Sequence, residues 1–437
     1  MSETIAGGEV MTVAVIGGAG RVGFGMCMVL ADAGHQVYGI DIDAEACRRI
    51  MNGELPFSES QGEAYLQRAL SSRRLVMTTE FCHIAEADVI ILVVGTPIDE
   101  HFNPNLQPLS QAIGSVNSYL KPGHLLILRS TVSPGTTDRV KTLIEQQTGL
   151  AVGKELFLVF APERVVQGQA IREIVQIPQL IGSFDDASYE RAEAFFKTFL
   201  QTRCFKLTPV EAEIGKLMTN MTRYVQFALA NEYYLIADLF GANIHKVIDA
   251  CTYEYPRLHL PTPGPNVGGP CLSKDGYFLL ERLPFPELIS VAFKINESMP
   301  AYLVRKLEQL PGIARVAILG MAFKADNDDT RNSLSFKLKK QLENANYDVV
   351  CVDPNVQGQA GLPALAGMEC VMVMSPHQQF RSLESIVNAV GNDACVYIDL
   401  WGLWAEMKYR SRNGLFTGSE ARRCLAEPVQ EPVTVEE

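Results

Sequence analysis

The segment 264–275, with the sequence GPNVGGPCLSKD, brings together side chains that can carry out covalent chemistry. Cys271 supplies a thiol, and Lys274 and Asp275 supply an amine and a carboxylate within one helical turn of it. A neighbouring cation lowers the pKa of a thiol from about 8.5 and makes the nucleophilic thiolate available. Two consecutive glycines before the cysteine allow the backbone to approach a ligand closely. The residue types predict a loop with a nucleophilic cysteine, although an isolated cysteine more often only packs against its neighbours.

A second pattern near the N-terminus indicates a dinucleotide site. Gly18, Gly20 and Gly23 stand in GxGxxG register directly after the apolar run 12–16, and a helical pattern follows. Asp41 ends the next apolar run, about twenty residues on, where a carboxylate binds ribose hydroxyls. This carboxylate favours NAD over NADP, because it would repel a 2′-phosphate. The additional Gly17 leaves the register open, since it could take the place of Gly18, and a tight turn without a ligand is the alternative.

Two polar residues of the middle segment stand four apart in a helical pattern. Lys216 and Asn220 therefore project from one helix face. Two hydrogen-bond donors beside a thiol are what a developing oxyanion needs. For isolated residues, a solvated polar face is the ordinary explanation.

The elements that must position these residues fall into three segments. Apolar runs at 12–16, 36–40, 88–94, 125–128 and 156–160 alternate with helical patterns and predict parallel βαβ units. The stretch 209–239 begins with Pro209 and, beyond that residue, contains no proline and only one glycine, Gly215. Its apolar residues have helical spacing, which predicts one long helix. Strands at 315–319, 347–352, 370–374 and 395–400 and a helix at 333–345 restart the α/β rhythm. The predicted fold class is therefore α/β, with two Rossmann-like domains joined by a helical domain with a long central helix, and a disordered tail from about 419.

Composition excludes several classes of protein. The chain has 437 residues, too many for one core, with 47% hydrophobic and 20% charged residues. A net charge of -12 argues against nucleic-acid binding. The ten cysteines form no CxxC pairs, which predicts neither a zinc site nor a disulfide framework. No signal peptide or membrane-spanning run is visible, so we expect a cytoplasmic protein. The cysteine spacing leads us to expect no metal ion.

Several motifs in order resemble the UDP-glucose/GDP-mannose dehydrogenase family, and the resemblance extends from about residue 11 to 402. The cysteine segment is similar to the family's GGxCxxKD loop. The other matching segments are Val94 to Pro97 (VGTP), Arg129 to Thr136 (RSTVSPGT), Ala161 to Arg164 (APER), Glu213 to Asn220 (EIGKLMTN), Gly320 to Asp326 (GMAFKAD) and Asp329 to Arg331 (DTR). The resemblance implies an NAD-dependent enzyme that oxidises the C6 hydroxyl of a UDP-sugar twice, to a uronic acid for surface polysaccharide synthesis.

The resemblance also implies catalytic roles for particular residues. Asp275 would position a water that takes the hydroxyl proton, and Cys271 would attack the resulting aldehyde. Lys216 and Asn220 would stabilise the oxyanion, and Glu163 would activate the water that hydrolyses the thioester. Thr131 would lie near the reacting carbon.

Binding residues follow from the same matches. For the cofactor NAD they are Gly18, Gly20, Arg21, Val22, Asp41, Thr96, Pro97, Thr131 and Arg331. For the substrate they are Glu163, Arg164, Lys216, Asn220, Arg257, Gly268 and Lys324. For Arg257, Lys324 and Arg331, a surface ion pair is the alternative.

Two signals disagree on the sugar. Gln167 stands where the UDP-glucose branch carries a second Glu, and Arg164 after Glu163 is similar to the N-acetylhexosamine branch. The Lys274–Asp275 pair resembles the UDP-glucose enzymes instead. We therefore expect a UDP-N-acetylhexosamine or UDP-glucose.

Other functions and the assembly complete the expectations. A one-step β-hydroxyacid or 6-phosphogluconate dehydrogenase is one alternative, and a non-catalytic protein that binds nucleotide sugar or NAD is another. The resemblance divides the chain into an NAD-binding domain (1–203), a central dimerisation domain with the cysteine loop (204–300) and a UDP-sugar-binding domain (301–437). It also implies a homodimer or a higher homo-oligomer.

Overall fold

The computed structural model describes residues 10–101, 103–280, 283, 285 and 287–426, which divide into two compact units. Unit 1 comprises residues up to Asn220 together with Lys274–Pro284, and unit 2 comprises Met221–Ser273 and the chain from Phe285 onward. The boundary falls inside two helices. The sequence-based division into three domains stays a prediction.

Unit 1 is built on a parallel sheet covered by helices. Its strands are β1 (Thr12–Ile16), β2 (Gln36–Ile40), β3 (Leu75–Thr78), β4 (Val89–Leu92), β5 (Leu125–Leu128), β6 (Phe157–Phe160), β7 (Gln179–Ser183) and β8 (Cys204–Leu207). Its helices are α1 (Arg21–Asp32), α2 (Ala44–Met51), α3 (Gly62–Ser71), a 3₁₀ turn (Phe81–Glu86), α4 (Gln107–Asn117), α5 (Thr136–Thr148), α6 (Ala170–Gln176) and α7 (Asp186–Lys197).

The strand order is β3-β2-β1-β4-β5-β6-β7-β8, and every pair is parallel except β6 with β7. Ile16 pairs with Ile40 of β2 on one side and with Leu92 of β4 on the other. Alternate residues of β1 enter two separate cores, since Val13 and Val15 face one and Ala14 and Ile16 the other. Burial of both faces explains why these strands are continuous apolar runs. The chain order reverses between β1 and β4, which is where open α/β sheets bind ligands.

Four helices belong to the middle of the chain: α8 (Pro209–Leu239), α9 (Ile244–Thr252), α10 (Gly269–Leu280) and α11 (Glu287–Glu308). The long helix α8 has the bounds predicted from its periodicity. Pro209 begins it, and the Glu211 carboxylate accepts a hydrogen bond from the Thr208 backbone N–H at 2.7 Å, half of a capping box. The predicted loop around Cys271 ends at Gly268, because α10 begins at Gly269. Proline is favourable in a first helical turn, so Pro270 does not prevent this helix.

Unit 2 contains the second sheet, in the order β10-β9-β11-β12-β13. Its strands are β9 (Arg315–Leu319), β10 (Asp348–Val352), β11 (Cys370–Val373), β12 (Val396–Ile398) and the antiparallel β13 (Leu415–Thr417). Its remaining helices are α12 (Leu334–Asn344), two 3₁₀ turns (Leu362–Leu365 and Gln378–Phe380), α13 (Leu383–Val390), α14 (Ala405–Lys408) and α15 (Gly418–Ala426).

Two parallel-dominated sheets and one long helix confirm the predicted fold class. The predicted disordered tail is wrong for 419–426, which form α15, while 427–437 lie outside the described residues. None of the helices in the described ranges is long and apolar enough to cross a bilayer.

Candidate functional site

The glycine-rich turn lies at the carboxyl end of β1 and leads into α1. Gly17 has φ +86°, and the backbone N–H groups of Gly17 and Gly18 donate to the Ile40 carbonyl at 2.8 and 3.2 Å. A Cβ atom on Gly23 would stand 2.0 Å from the Gly17 carbonyl oxygen. The turn is therefore closed by backbone contacts that only glycine permits, with Gly17 as the left-handed residue and Gly18 within the closed turn.

The start of α1 suits a pyrophosphate. Gly20 precedes the helix, Arg21 and Val22 begin it, and the first turn carries no acidic residue. Within the described ranges, no side chain caps this helix N-terminus. Backbone N–H groups at such an end, together with the helix dipole, attract phosphate.

Asp41 lies directly after β2 and contacts the same turn. One carboxylate oxygen accepts from the Ala19 backbone N–H at 3.0 Å, and the other accepts from the Asp43 N–H at 3.2 Å. The side chain is half-buried. Each oxygen keeps a further lone pair, so Asp41 can hold the turn and still accept from a hydroxyl.

The loops after β4 and β5 are tied together. The Thr96 hydroxyl donates to the Thr131 carbonyl at 2.7 Å, and the Ser130 hydroxyl accepts from the Val94 N–H at 2.9 Å. The Lys274 ammonium donates to the Thr96 carbonyl at 2.8 Å. Thr96 is buried, Thr131 is half-buried and Pro97 is exposed. Because parallel strands end at one edge, these loops and the glycine turn share the carboxyl edge of the first sheet.

A buried carboxylate–amide pair joins α8 to α10. The Asn220 amide donates to Asp275 Oδ2 at 2.6 Å, and the Asp275 side chain is 1% exposed. Its second oxygen, Oδ1, lies 3.5 Å from Lys274 Nζ and accepts no hydrogen bond from the residues that the structure describes. A buried carboxylate oxygen with an unused acceptor is suited to a water molecule or a substrate hydroxyl.

Lys216 lies one turn before Asn220 on α8 and is half-buried. Among the residues that the structure describes, its ammonium has no hydrogen-bond or ion-pair partner. Both residues lie in α8 and stand four residues apart, so they project from the same face of the helix, as predicted from their spacing. Asn220 spends one of its two amide hydrogens on Asp275, and the other remains for a ligand.

Glu163 follows β6 at the same carboxyl edge and is 7% exposed. One carboxylate oxygen accepts from the Val165 N–H at 2.6 Å. Burial lowers the pKa of the Arg129 and Arg164 guanidiniums, and the charge of Glu163 opposes that effect on both. The Arg164 guanidinium donates to the Pro178 carbonyl. The carboxylate of Glu163 therefore lies in the field of two partly desolvated cations.

In unit 2, Cys271 is the third residue of α10 and is exposed. Arg331 forms a bidentate ion pair with Asp329, with N–O distances of 2.9 and 2.6 Å. Asp329 is the main reason that the pKa of Arg331 is raised, and the charge of Cys271 contributes in the same direction.

The other residues predicted to bind substrate lie at separate places in unit 2. Gly268 has φ +108°, and a Cβ atom there would stand 2.9 Å from the Tyr224 ring. Lys324 follows β9 and is half-buried. Arg257 is exposed, with its guanidinium 4.7 Å from the centroid of the Tyr255 ring.

Three structural roles were not predicted from the sequence. Lys274 holds the loop after β4, and Glu213 binds the start of α5 through the Gly135 and Thr137 backbone N–H groups. Asn266 has a buried side chain in the segment before Cys271. Their residue types offered no signal beyond membership of the quoted motifs. In the described part of the chain, no group of three or more His, Cys, Asp and Glu side chains is arranged to hold a metal ion.

Comparison with known proteins assigns these regions. The NAD-binding domain of the UDP-glucose/GDP-mannose dehydrogenase family matches residues 11–200, its central domain 210–298 and its UDP-binding domain 317–406. The UDP-N-acetyl-D-mannosamine dehydrogenase of Pyrococcus horikoshii is 34% identical over 383 residues, covering 85% of this chain and 91% of that protein. The NDP-N-acetyl-D-galactosaminuronic acid dehydrogenase of Ralstonia solanacearum is 29% identical over 416 residues, covering 90% and 96%. The solved structure of the UDP-D-ManNAc dehydrogenase from P. horikoshii matches with a TM-score of 0.82, covering 89% of this chain and 95% of that chain.

Proposed function

Because the chain belongs to the UDP-glucose/GDP-mannose dehydrogenase family and carries its NAD-binding domain, we propose that it oxidises C6 of a UDP-N-acetylhexosamine to the uronic acid, with UDP-glucose as the alternative substrate. The oxidation removes four electrons in two steps and passes through a thioester on Cys271. One observation carries this proposal. The buried Asp275 has an unused acceptor oxygen beside Asn220, four residues along α10 from the Cys271 thiol.

NAD is the cofactor of this family, and the first sheet fits it. Gly18, Gly20, Arg21 and Val22 would bind the pyrophosphate at the start of α1, Asp41 would bind ribose hydroxyls, and Thr96, Pro97 and Thr131 would line the nicotinamide side. Arg331 would approach the cofactor from its ion pair with Asp329. When bound, NAD accepts a hydride from C6 in each of the two oxidations.

The chain's own groups carry the protons of the first oxidation. Asp275 Oδ1 would hold a water that receives the proton of the C6 hydroxyl as the aldehyde forms. Asn220 donates to Oδ2 and fixes the orientation of the carboxylate. The unused acceptor on Oδ1 supports this role, because no described residue donates a hydrogen bond to it and the Lys274 ammonium lies 3.5 Å away.

The second oxidation needs the thiol. The Cys271 sulfur forms a bond to C6 of the aldehyde, and the electron pair of the C=O π bond moves to the oxygen. Lys216 and the second amide hydrogen of Asn220 would donate to that oxyanion. Oxidation of the thiohemiacetal then gives a thioester.

Hydrolysis releases the product. Glu163 would take a proton from water as the water oxygen bonds to C6, and the C6–S bond breaks to return the thiolate. Arg164, Arg257, Gly268 and Lys324 would contact the sugar nucleotide together with Glu163. The uronic acid remains attached to UDP and stays activated for glycosyl transfer, which fits a role in surface polysaccharide synthesis.

The relatives favour the N-acetylhexosamine. Those described above are dehydrogenases of N-acetylated sugar nucleotides. The branch resemblance noted for Arg164 and Gln167 in the sequence points to the same class of sugar. UDP-N-acetylmannosamine is therefore the first substrate to test. We propose it ahead of UDP-glucose, although the Lys274–Asp275 pair resembles that of the UDP-glucose enzymes.

A second copy of this chain is the proposed partner. Leu229, Tyr233 and Ile236 are 37%, 42% and 47% exposed, and their spacing of four and three residues forms one apolar stripe along the end of α8. Such a stripe is suited to an isologous dimer. The double variant Tyr233→Glu with Ile236→Glu should be monomeric by light scattering, whereas Lys340→Glu on the exposed face of α12 should not change the mass. Equal masses for all three proteins would refute the dimer through α8.

Stoichiometry tests the reaction. Purified protein with NAD is supplied with UDP-N-acetylmannosamine, UDP-N-acetylglucosamine, UDP-glucose, UDP-galactose or GDP-mannose, and NADH is measured against product mass. Two NADH per uronate with one sugar, lost in Cys271→Ala, is the expected result. One NADH per sugar that does not depend on Cys271 would refute the thioester and indicate a one-step dehydrogenase.

A further inference from the structure

Asn266 lies five residues before Cys271 in the loop that leads into α10, and its side chain is 3% exposed. Burial of an amide is unfavourable unless hydrogen bonds replace its water. Here every polar atom of the side chain has partners, and all of them lie far away in the sequence. The residue thus connects the loop to another part of unit 2.

The hydrogen-bond partners of Asn266 cluster around its side-chain amide. Its Oδ1 accepts from the Leu334 backbone N–H at 2.8 Å, which is the first residue of α12. Its Nδ2 lies 3.0 Å from the Ala322 carbonyl and 3.1, 3.1 and 3.0 Å from the hydroxyl oxygens of Ser333, Ser335 and Ser375. Two amide hydrogens are therefore shared among four acceptors.

Two of those hydroxyls are oriented to accept. The Ser335 hydroxyl donates to the Gly320 carbonyl at 2.8 Å, and the Ser375 hydroxyl donates to the Ala322 carbonyl. With their hydrogens used there, both oxygens turn lone pairs toward Asn266. A satisfied buried network of this kind specifies one position for the side chain.

That position is the carboxyl edge of the second sheet. Residues 320–322 follow β9, Ser375 follows β11, and β9 and β11 are neighbours at the point where the chain order reverses. Open α/β sheets bind ligands at this crevice. Lys324 and Arg331, the proposed contacts to nucleotides, lie in the same segment between β9 and α12.

The rest of the loop is held to the same region of unit 2. The Gly264 N–H donates to Asn231 Oδ1 at 2.9 Å, and a Cβ atom on Gly269 would stand 2.3 Å from the Phe323 ring. After the cysteine, Asn332 Nδ2 donates to the Ser273 hydroxyl at 3.1 Å. The first turn of α10 is thus fixed to the segment 320–335 on both sides of Cys271.

We propose that Asn266 is a positioning residue that fixes the Cys271 thiol relative to the nucleotide-binding edge of the second sheet. The inference rests on the proposed function. It predicts that loss of Asn266 affects the second oxidation much more than the first. Formation of the aldehyde does not use the thiol, whereas the second oxidation needs sulfur within bonding reach of C6. A displacement of about 1 Å can lower the rate of such a step by on the order of a hundredfold.

Asn266→Asp is the test substitution, because it keeps the shape and removes both amide hydrogens. A carboxylate would then face four acceptor oxygens, and the loop would leave its position. Asn388→Asp is the matched control, since Asn388 is exposed on α13. Ser335→Ala and Ser375→Ala each remove one acceptor and give a milder form of the same perturbation, should Asn266→Asp fold poorly.

Two measurements on the full-length protein are compared. The first follows NADH, uronate and aldehyde trapped with hydroxylamine, and we expect Asn266→Asp to keep the first oxidation within about threefold while the second falls by more than about tenfold. The second is the rate of alkylation of Cys271 by iodoacetamide, followed by peptide mass, which should change at least about threefold in Asn266→Asp and not in Asn388→Asp.

The outcomes distinguish the inference from the function on which it rests. Loss of both oxidations in proportion, or an unchanged alkylation rate and unchanged stoichiometry, would overturn the role of Asn266. Retention of both oxidations in Cys271→Ala would instead refute the thioester, and the alkylation rate would then decide alone whether Asn266 positions the thiol.

Discussion

Glu213 connects the beginning of α8 to the beginning of α5, and its replacement has a calculable consequence. The side chain is fully buried. One carboxylate oxygen accepts from the Thr137 backbone N–H at 2.8 Å and from the Thr137 hydroxyl at 2.6 Å, and the other accepts from the Gly135 N–H at 2.6 Å. Because an anion at a helix N-terminus is favourable, Glu213 stabilises the first turn of α5. It also holds the part of α8 from which Lys216 and Asn220 project.

The magnitude follows from these three hydrogen bonds. Glu213→Gln replaces one oxygen by an amide nitrogen, so at least one buried donor loses its acceptor, at a cost of about 1–3 kcal/mol. Burial raises the pKa of Glu213 even though its hydrogen bonds lower it, and a neutral amide removes this cost of burying charge. We therefore expect a net local loss of about 1–2 kcal/mol for Glu213→Gln. Glu213→Ala removes all three acceptors and leaves a cavity, for a loss of at least about 3 kcal/mol.

Hydrogen–deuterium exchange measures this loss where it occurs, since the backbone N–H groups concerned lie at the start of α5. Each 1.4 kcal/mol corresponds to about tenfold in the opening equilibrium. Peptides covering 135–148 should exchange about 5- to 30-fold faster in Glu213→Gln and more than about a hundredfold faster in Glu213→Ala. Glu211→Gln is the control, because Glu211 is an exposed carboxylate at the start of the same helix.

Two results would refute this reasoning. If α5 exchanges at the wild-type rate in Glu213→Gln and in Glu213→Ala, the carboxylate does not stabilise the start of that helix. If Glu211→Gln accelerates exchange in α5 as much as Glu213→Gln, the effect comes from the charge of α8 as a whole and not from the buried hydrogen bonds.

Two further predictions concern the cofactor turn and a buried acid. Gly23→Ala would place a Cβ atom 2.0 Å from the Gly17 carbonyl oxygen, and NAD binding measured by titration calorimetry should weaken at least about tenfold. Gly114→Ala is the control, because its Cβ atom would have no neighbouring atom within 4 Å, and it should bind NAD as the wild type does. Equal affinities of the two variants would contradict the assigned turn. Burial raises the pKa of Asp399 to about 7, so its stabilising contribution is complete below the unfolded pKa of about 4 and is lost as the pH rises to 7, a change on the order of 4 kcal/mol. About 2.5 kcal/mol of this decline falls between pH 5 and pH 8, and urea unfolding followed by tryptophan fluorescence at these two pH values should show it in the wild type and not in Asp399→Asn. The same decline in both proteins would assign it to another group.

Much of the fold was predictable because it depends on patterns local in the sequence. The bounds of β1, β2, β5, β9 and α8 agree with the predicted ones. Short unbroken apolar runs between helical patterns favour strands buried on both faces, and a stretch of about thirty residues with helical spacing of its apolar residues and no internal proline favours one long helix.

The elements that escaped prediction are short or ambiguous. The strands β3, β7, β8 and β13 have three to five residues, and β8 is largely exposed, so no apolar run marks it. The helix α15 is polar and begins at Gly418, which made this segment resemble a tail. In each case, packing against neighbours decides the structure, and a local pattern does not contain that information.

By itself, the sequence determined the glycine turn, the helix face of Lys216 and Asn220, and the place of Cys271 beside Lys274 and Asp275, because each depends on spacing within a single element. Only the tertiary structure decided that Lys274 binds the Thr96 carbonyl, 178 residues away, and that Asn266 reaches Ser375, 109 residues away. An amide among glycines and prolines has no pattern that distinguishes a buried anchor from a solvated turn residue. Its partners are set by the order of strands in the sheet, since β9 and β11 become neighbours only because the chain returns from β10 across β9 before it forms β11.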